Sequence, residues 1–248
     1  MTTLRRIAFV GDPGTRGAHA AGDLARRAFA TLSYIGEGAA AGADLTGGHG
    51  RSAPGAVATL EVPVTDEVAA AAREQRADLL VVGRRRGETA SGDMAIRLAR
   101  EAARPVLVTC DASRALPAQP HLLVAIGDNP DREAIVGAAT RVARALRGRL
   151  TLAYVADVSS SGVLDPVDAG WRVLASAVRL IGPHMPVSAT VLVGDRAAAL
   201  LEAAAEVRAD IVAIGAPADR SAGADSVGAQ LIDGACGSVL LIAGEAAA

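Results

Sequence analysis

Two aspartates and two glycines stand where a largely apolar chain could hold a ligand. Asp12 closes the run IAFVGD, Asp128 closes LLVAIGD, and each opens a stretch of helical spacing. Gly83 ends ADLLVVG and Gly215 ends ADIVAIG. A carboxylate at a strand end can accept hydrogen bonds from ribose hydroxyls or a base amine. A glycine there lets backbone amides approach a phosphate at a helix N-terminus. The same aspartates would equally serve as helix caps.

Other chemistries are excluded by residue type. The 25 basic residues are all Arg, so a GxxxxGK[ST] phosphate loop, a Schiff-base enzyme and a lysine general base are ruled out. There is no GxSxG elbow and no HExxH. His19, His49, His121 and His184 are scattered without metal-ligand spacing, and Cys110 and Cys236 form no CxxC pair. Residues 1–115 carry 15 Arg against 13 acids and residues 116–248 carry 10 against 14, so neither half is a basic nucleic-acid binder. No run reaches the roughly twenty apolar residues of a membrane helix, and no apolar signal segment follows MTTLRR. A cytoplasmic protein without membrane or nucleic-acid partners is expected.

The elements that position these residues are written twice. ADLLVVG (77–83) and ADIVAIG (209–215) are each followed about twenty residues later by a second apolar run, PVLVTC (105–110) and SVLLIAG (238–244). A repeat of this length is a whole domain, which divides the chain into 1–115 and 116–248. In the second half HLLVAIG, RLTLAYVAD, SATVLVG, DIVAIG and SVLLIA read as strands, separated by helices near 130–147, 167–181, 195–207 and 223–235. Asn129 and Pro130 suit the start of the first of these, and Asp195 the start of the third. Strands alternating with single helices imply an α/β fold with a doubly wound, mostly parallel sheet in each half. The first half follows the plan with RRIAFVG as strand one and Leu24, Ala28 and Leu32 marking helix one, the next strand being AVATLEV (56–62). Between them residues 36–55 hold seven glycines, and a mobile loop is expected where the other half has its second strand and helix. Asp12 to Gly83 spans 71 positions and Asp128 to Gly215 spans 87, so the first copy is sixteen residues short. Two separate sheets, each with its own cleft, are expected.

At these residues the chain resembles the universal stress proteins in their tandem two-domain form. The shared features are a strand-one Asp opening a helix, Ala-Asp followed by four apolar residues and Gly, a glycine-bearing loop, a helix and a Pro-Val-Leu-Val-like last strand. The resemblance implies two five-stranded Rossmann-type sheets of the HUP-like kind, the first shortened, and a non-catalytic stress-response role with at most slow ATP hydrolysis. ATP-binding members of that family carry Gly-x2-Gly-x9-Gly-Ser/Thr after strand four. Here Gly83 fills the first position, Arg86 stands at the second, and Gly92-Asp93 falls at the terminal pair. In the second copy Gly215 fits, Ala218 replaces the second Gly, Pro217 removes a donor, and Asp225-Ser226 falls near the terminal pair. Carried over residue by residue, the implied nucleotide set is Asp12, Gly83, Gly92, Asp128, Gly215 and Ser226. The implied ligand is ATP or another adenine nucleotide, with Mg2+ needed if the Asp93 carboxylate is to face phosphate. Arg84–Arg86 is the substitute source of positive charge there. The resemblance also implies pairing of last strands, here internally between 105–109 and 238–243, with homodimerisation through the remaining surfaces.

Three alternatives stay open at this point. The protein could be a scaffold that binds partners without nucleotide. The first copy could be a structural partner only, leaving binding to the second. Gly11, Gly14 and Gly17, with Glu37 twenty residues further on, could form the turn of a dinucleotide-binding oxidoreductase, although the spacing is GxxGxxG.

Overall fold

The computed structural model describes residues 4–11, 15–35, 65–84, 90–110, 115–128, 130–156, 165–217 and 226–244. Among them the strands are β1 (Arg6–Val10), β2 (Thr31–Ile35), β3 (Leu79–Arg84), β4 (Val106–Cys110), β5 (His121–Ala125), β6 (Arg149–Ala156), β7 (Val187–Val193), β8 (Ile211–Gly215) and β9 (Ser238–Ile242). The helices are α1 (Arg16–Ala28), α2 (Thr65–Glu74), α3 (Ala90–Ala102), α4 (Arg132–Ala145), α5 (Pro166–Ile181), α6 (Arg196–Glu206) and α7 (Val227–Gly234).

All nine strands form one sheet in the order β2-β1-β3-β4-β9-β8-β5-β6-β7. The expectation of two separate sheets is corrected by a single contact, the antiparallel pairing of β4 with β9. These are the two anticipated edge strands. Both are buried apolar runs whose open N–H and C=O groups need partners, and each supplies the other's. Val106 pairs with Leu241, Leu107 with Leu240 and Val108 with Val239, a two-fold register centred on Leu107 and Leu240. Every other pairing is parallel. Outward from this junction the halves run β4-β3-β1-β2 and β9-β8-β5-β6-β7, so the strand order repeats.

Helices cover both faces, and the buried side chains fall into one cluster on each face that crosses the junction. With so few aromatics, the layers are Ala, Val, Leu and Ile, which lets helices lie close to the sheet. α3 and α7 meet beside the junction: Gly92 faces Ala229, and Gly228 faces Ile96.

The first half departs from expectation at its second strand. Leu32 belongs to β2, which pairs with β1 in the register Arg6 to Thr31 through Val10 to Ile35, so helix one ends earlier and strand two is present. The helix stops at Phe29, which adopts a left-handed φ of 52° and donates its N–H to Arg26; Ala30 donates to Ala25. The expected strand 56–62 and the glycine-rich stretch 36–55 lie outside the described residues. In the second half α4 begins at Arg132 after an Asp131 cap, two residues later than Pro130 implied, and α7 begins at Val227 rather than 223. Asp195 caps α6 as expected, its carboxylate accepting from Ala198 N at 3.0 Å.

Candidate functional site

The Ala-Asp dipeptides set the frame. Asp78 Oδ2 accepts the backbone N–H groups of Arg5 and Arg6 at 2.7 and 2.9 Å, and Asp210 Oδ2 accepts that of His121 at 2.8 Å. Return bonds run from Asp78 N to Arg6 O and from Asp210 N to His121 O. Each carboxylate thus ties the start of its own strand to the start of the central strand. Reaching the tie requires a turn at Arg76 and Arg208, both at φ 52°.

These ties also fix which residues correspond. Arg6 matches His121, Ile7 matches Leu122, and Gly11 N bonds Ile35 O as Ile126 N bonds Ala153 O. Gly11, at φ +132°, therefore corresponds to Ile126 and not to Gly127. The two Gly-Asp pairs are out of step by one residue, and Asp128 stands one position further from its strand than sequence pairing implies.

Gly83 and Gly215 lie at the carboxyl ends of β3 and β8, beside the central strands β1 and β5. Helices leave the sheet to opposite sides here, which makes this the switch point where a doubly wound sheet receives ligands. The structure gives both glycines a packing role. A Cβ on Gly215 would lie 2.7 Å from Ile135 Cδ1 of α4. In the first half the partner is Gly17 of α1, whose own Cβ would lie 2.8 Å from Gly83 Cα and 3.0 Å from the Phe9 ring. Phe9 with Gly17 fills the space that Val124 with Ile135 fills in the second half, large beside small in exchanged positions. Gly17 thereby serves close packing of α1 on the sheet. Gly14, Glu37 and Asp12 lie outside the described residues.

Asp128 follows β5 with 76% of its side chain exposed, and Oδ1 is 3.3 Å from Arg132 Nη1 one helical turn on. Ser226 caps α7, its Oγ accepting from Ala229 N at 3.2 Å, which leaves the hydroxyl proton available to donate. Asp128, Gly215 and Ser226 thus belong to the carboxyl side of adjacent strands. Gly92, assigned to the first copy, lies beside Ala229 at the helix junction. The exposed Asp128 carboxylate, paired with Arg132, can accept further hydrogen bonds, and the Ser226 hydroxyl with the first amides of α7 can donate them. Among the described residues no three His, Cys, Asp or Glu side chains gather as a metal site. No described helix is long and apolar enough to cross a membrane.

At the opposite end of the second half sits a polar relay that the sequence did not announce. His121 Nδ1 donates to Val207 O at 3.0 Å, which leaves Nε2 to accept from Thr151 Oγ1 at 2.8 Å; Ser188 Oγ lies 2.8 Å beyond. Burial is the largest influence on His121 and holds its pKa below the ordinary histidine value. The Val207 carbonyl and Asp210 oppose that shift, and Arg149 adds to it.

Residues 120–242 match the profile of the Universal stress protein family, and through this second half the chain belongs to that family. A universal stress protein from Archaeoglobus fulgidus DSM 4304 is similar over 73% of this chain and 66% of its own, at 14% identity and a TM-score of 0.53. A functionally unknown protein from Pseudomonas aeruginosa PAO1 is similar over 98% of this chain and 93% of its own, at 12% identity and a TM-score of 0.54. A universal stress protein solved in complex with cAMP covers 52% of this chain and 100% of its own, at 20% identity and a TM-score of 0.42. These are likenesses of fold. No curated protein matches the chain by sequence.

Proposed function

We infer that the chain is a non-catalytic, cytoplasmic regulatory protein made of two universal-stress domains, 1–115 and 116–248. On this reading the second domain takes an adenine nucleotide beyond β5 and β8, and the shortened first domain chiefly covers its edge. The observation that carries it is the Asp128 carboxylate, 76% exposed at the switch point beside the Arg132 guanidinium, 3.3 Å away. Asp128 would hold the ribose, and the Ser226 hydroxyl with the α7 amides would meet phosphate. Occupancy would alter the loops around the crevice and so a surface read by a partner.

A scaffold role without nucleotide is favoured by one feature, the Ile135 side chain filling the space against Gly215 where a phosphate cradle would need open backbone. Calorimetric titration with ATP, ADP and AMP, with and without Mg2+, separates the readings. One nucleotide per chain is expected, weakened at least about tenfold by Asp128→Ala, the loss of one charged hydrogen bond, and unaffected by Asp12→Ala. Flat titrations would leave the scaffold role, and equal weakening by both variants would discard the assignment to the second domain.

A further inference from the structure

The relay of His121, Thr151 and Ser188 replaces groups that cannot titrate in the first half. By register Arg6 stands for His121 and Ser33 for Thr151, and Gln75 stands for Val207, each of these last two lying just ahead of the Asp that ties its strand. There Ser33 Oγ donates to Gln75 Oε1 at 2.7 Å, and Arg6 is exposed. In the second half the same place holds an imidazole 7% exposed, beside a threonine 5% exposed. The bond directions follow from chemistry. The Val207 carbonyl can only accept, so Nδ1 of the neutral ring carries the proton and Nε2 accepts from Thr151. That bond uses the one hydroxyl proton of Thr151, so Ser188 donates to Thr151 Oγ1. Both hydroxyls point inward, and Ser188, exposed on β7, brings the chain of bonds to solvent.

We propose that Ser188 and Thr151 carry a proton from solvent to His121, so that the folded second half holds a pH-sensitive switch. A proton binds the Ser188 oxygen, Ser188 passes its own to Thr151, and Thr151 passes its own to Nε2. Each hydroxyl keeps one proton, and every bond of the chain survives with its direction reversed. The imidazolium donates at both nitrogens, to Val207 O and to Thr151 Oγ1, and the Ser188 hydroxyl that donated inward now donates to solvent. Acid therefore changes the polarity of a surface position without changing the fold. Of the charges around the ring, Asp210 ahead of β8 favours the proton and Arg149 of β6 opposes it. β5 and β7 carry no other charge, and Glu206 and Arg208, on either side of Val207, are exposed and opposite in sign. Burial outweighs these and sets the transition on the acid side of the ordinary histidine value. No nucleotide is needed.

A pH titration of the isotope-labelled full chain by NMR tests it, with the His121 ring assigned through His121→Gln. Wild type is expected to show the proton on Nδ1 at neutral pH and a single ring signal that moves continuously on acidification, because protons enter without local opening. Thr151→Val removes a charge-assisted bond from the imidazolium but only a neutral one from the imidazole, so proton binding to the folded chain is expected to weaken at least about tenfold. Its ring is expected to give two slowly exchanging signals, neutral and protonated, and Thr151→Ser to restore wild-type behaviour. Ser188→Val changes an exposed strand position, leaves folding intact, and is expected to split the signal too. A split signal in wild type overturns the proposal. So does unweakened proton binding in Thr151→Val, or a single moving signal in Ser188→Val, which decides alone if Thr151→Val does not fold.

Discussion

The two halves solve one packing problem with different residues. Each must seat its first helix on the carboxyl end of its fourth strand, and each does so over a glycine, Gly83 or Gly215. The first half fills the space from the strand, with the Phe9 ring over Gly17. The second fills it from the helix, with Ile135 beside Val124. A glycine repeated at the end of an apolar strand thus has a packing neighbour in each half, Gly17 beside Gly83 and Ile135 beside Gly215. Function is better sought in what differs between the halves, such as the buried His121 where the first half has Arg6.

The sharpest way to break that comparison is to remove the larger partner. Ile135→Gly leaves a cavity at a fully buried site and puts glycine inside a helix, and about 4 kcal/mol of stability should be lost in denaturant unfolding. Adding Val124→Phe transplants the first half's arrangement and should restore about 1 kcal/mol or more. If the second change only worsens the first, the exchange of large and small is incidental.

A smaller effect should distinguish the halves by pH. The folded pKa of His121 lies below its unfolded value, so above the unfolded value both states are neutral and stability is full. As pH falls through about 6.5 the unfolded chain takes up the proton first, and stability declines until the folded histidine is protonated too. Hydrogen exchange on acidification from pH 7 to 5 should show protection falling in β5, β6 and β7 and holding in β1 and β3. His121→Gln, which can still donate to Val207 O and accept from Thr151, should flatten the response. Equal losses in both halves would remove His121 as the cause.

Much of this was legible in the chain. ADLLVVG and ADIVAIG announce buried parallel strands because strands covered on both faces are continuously apolar. The pairing of 105–109 with 238–243 was what the family resemblance implied, and β4 and β9 pair so. β2 was not legible: TLSYI is short, carries Thr and Ser, and is entered through Phe29 in a left-handed turn, a conformation whose usual marker is glycine. Counted from the strands, the two Gly-Asp pairs are offset by one residue, which only the Asp78 and Asp210 hydrogen bonds fix.

Two like halves, joined through β4 and β9 within one chain, are the feature on which the rest depends. The direct measurement is an engineered disulfide between Leu107→Cys and Leu240→Cys, with Cys110 and Cys236 replaced by Ser and thiols counted before and after reduction. The register predicts an oxidised, intrachain bond in a chain of unchanged mass, and none for Val106→Cys with Leu240→Cys, whose side chains fall on opposite faces. Two free thiols in the Leu107–Leu240 pair, or a bond formed only between chains, would contradict the internal junction.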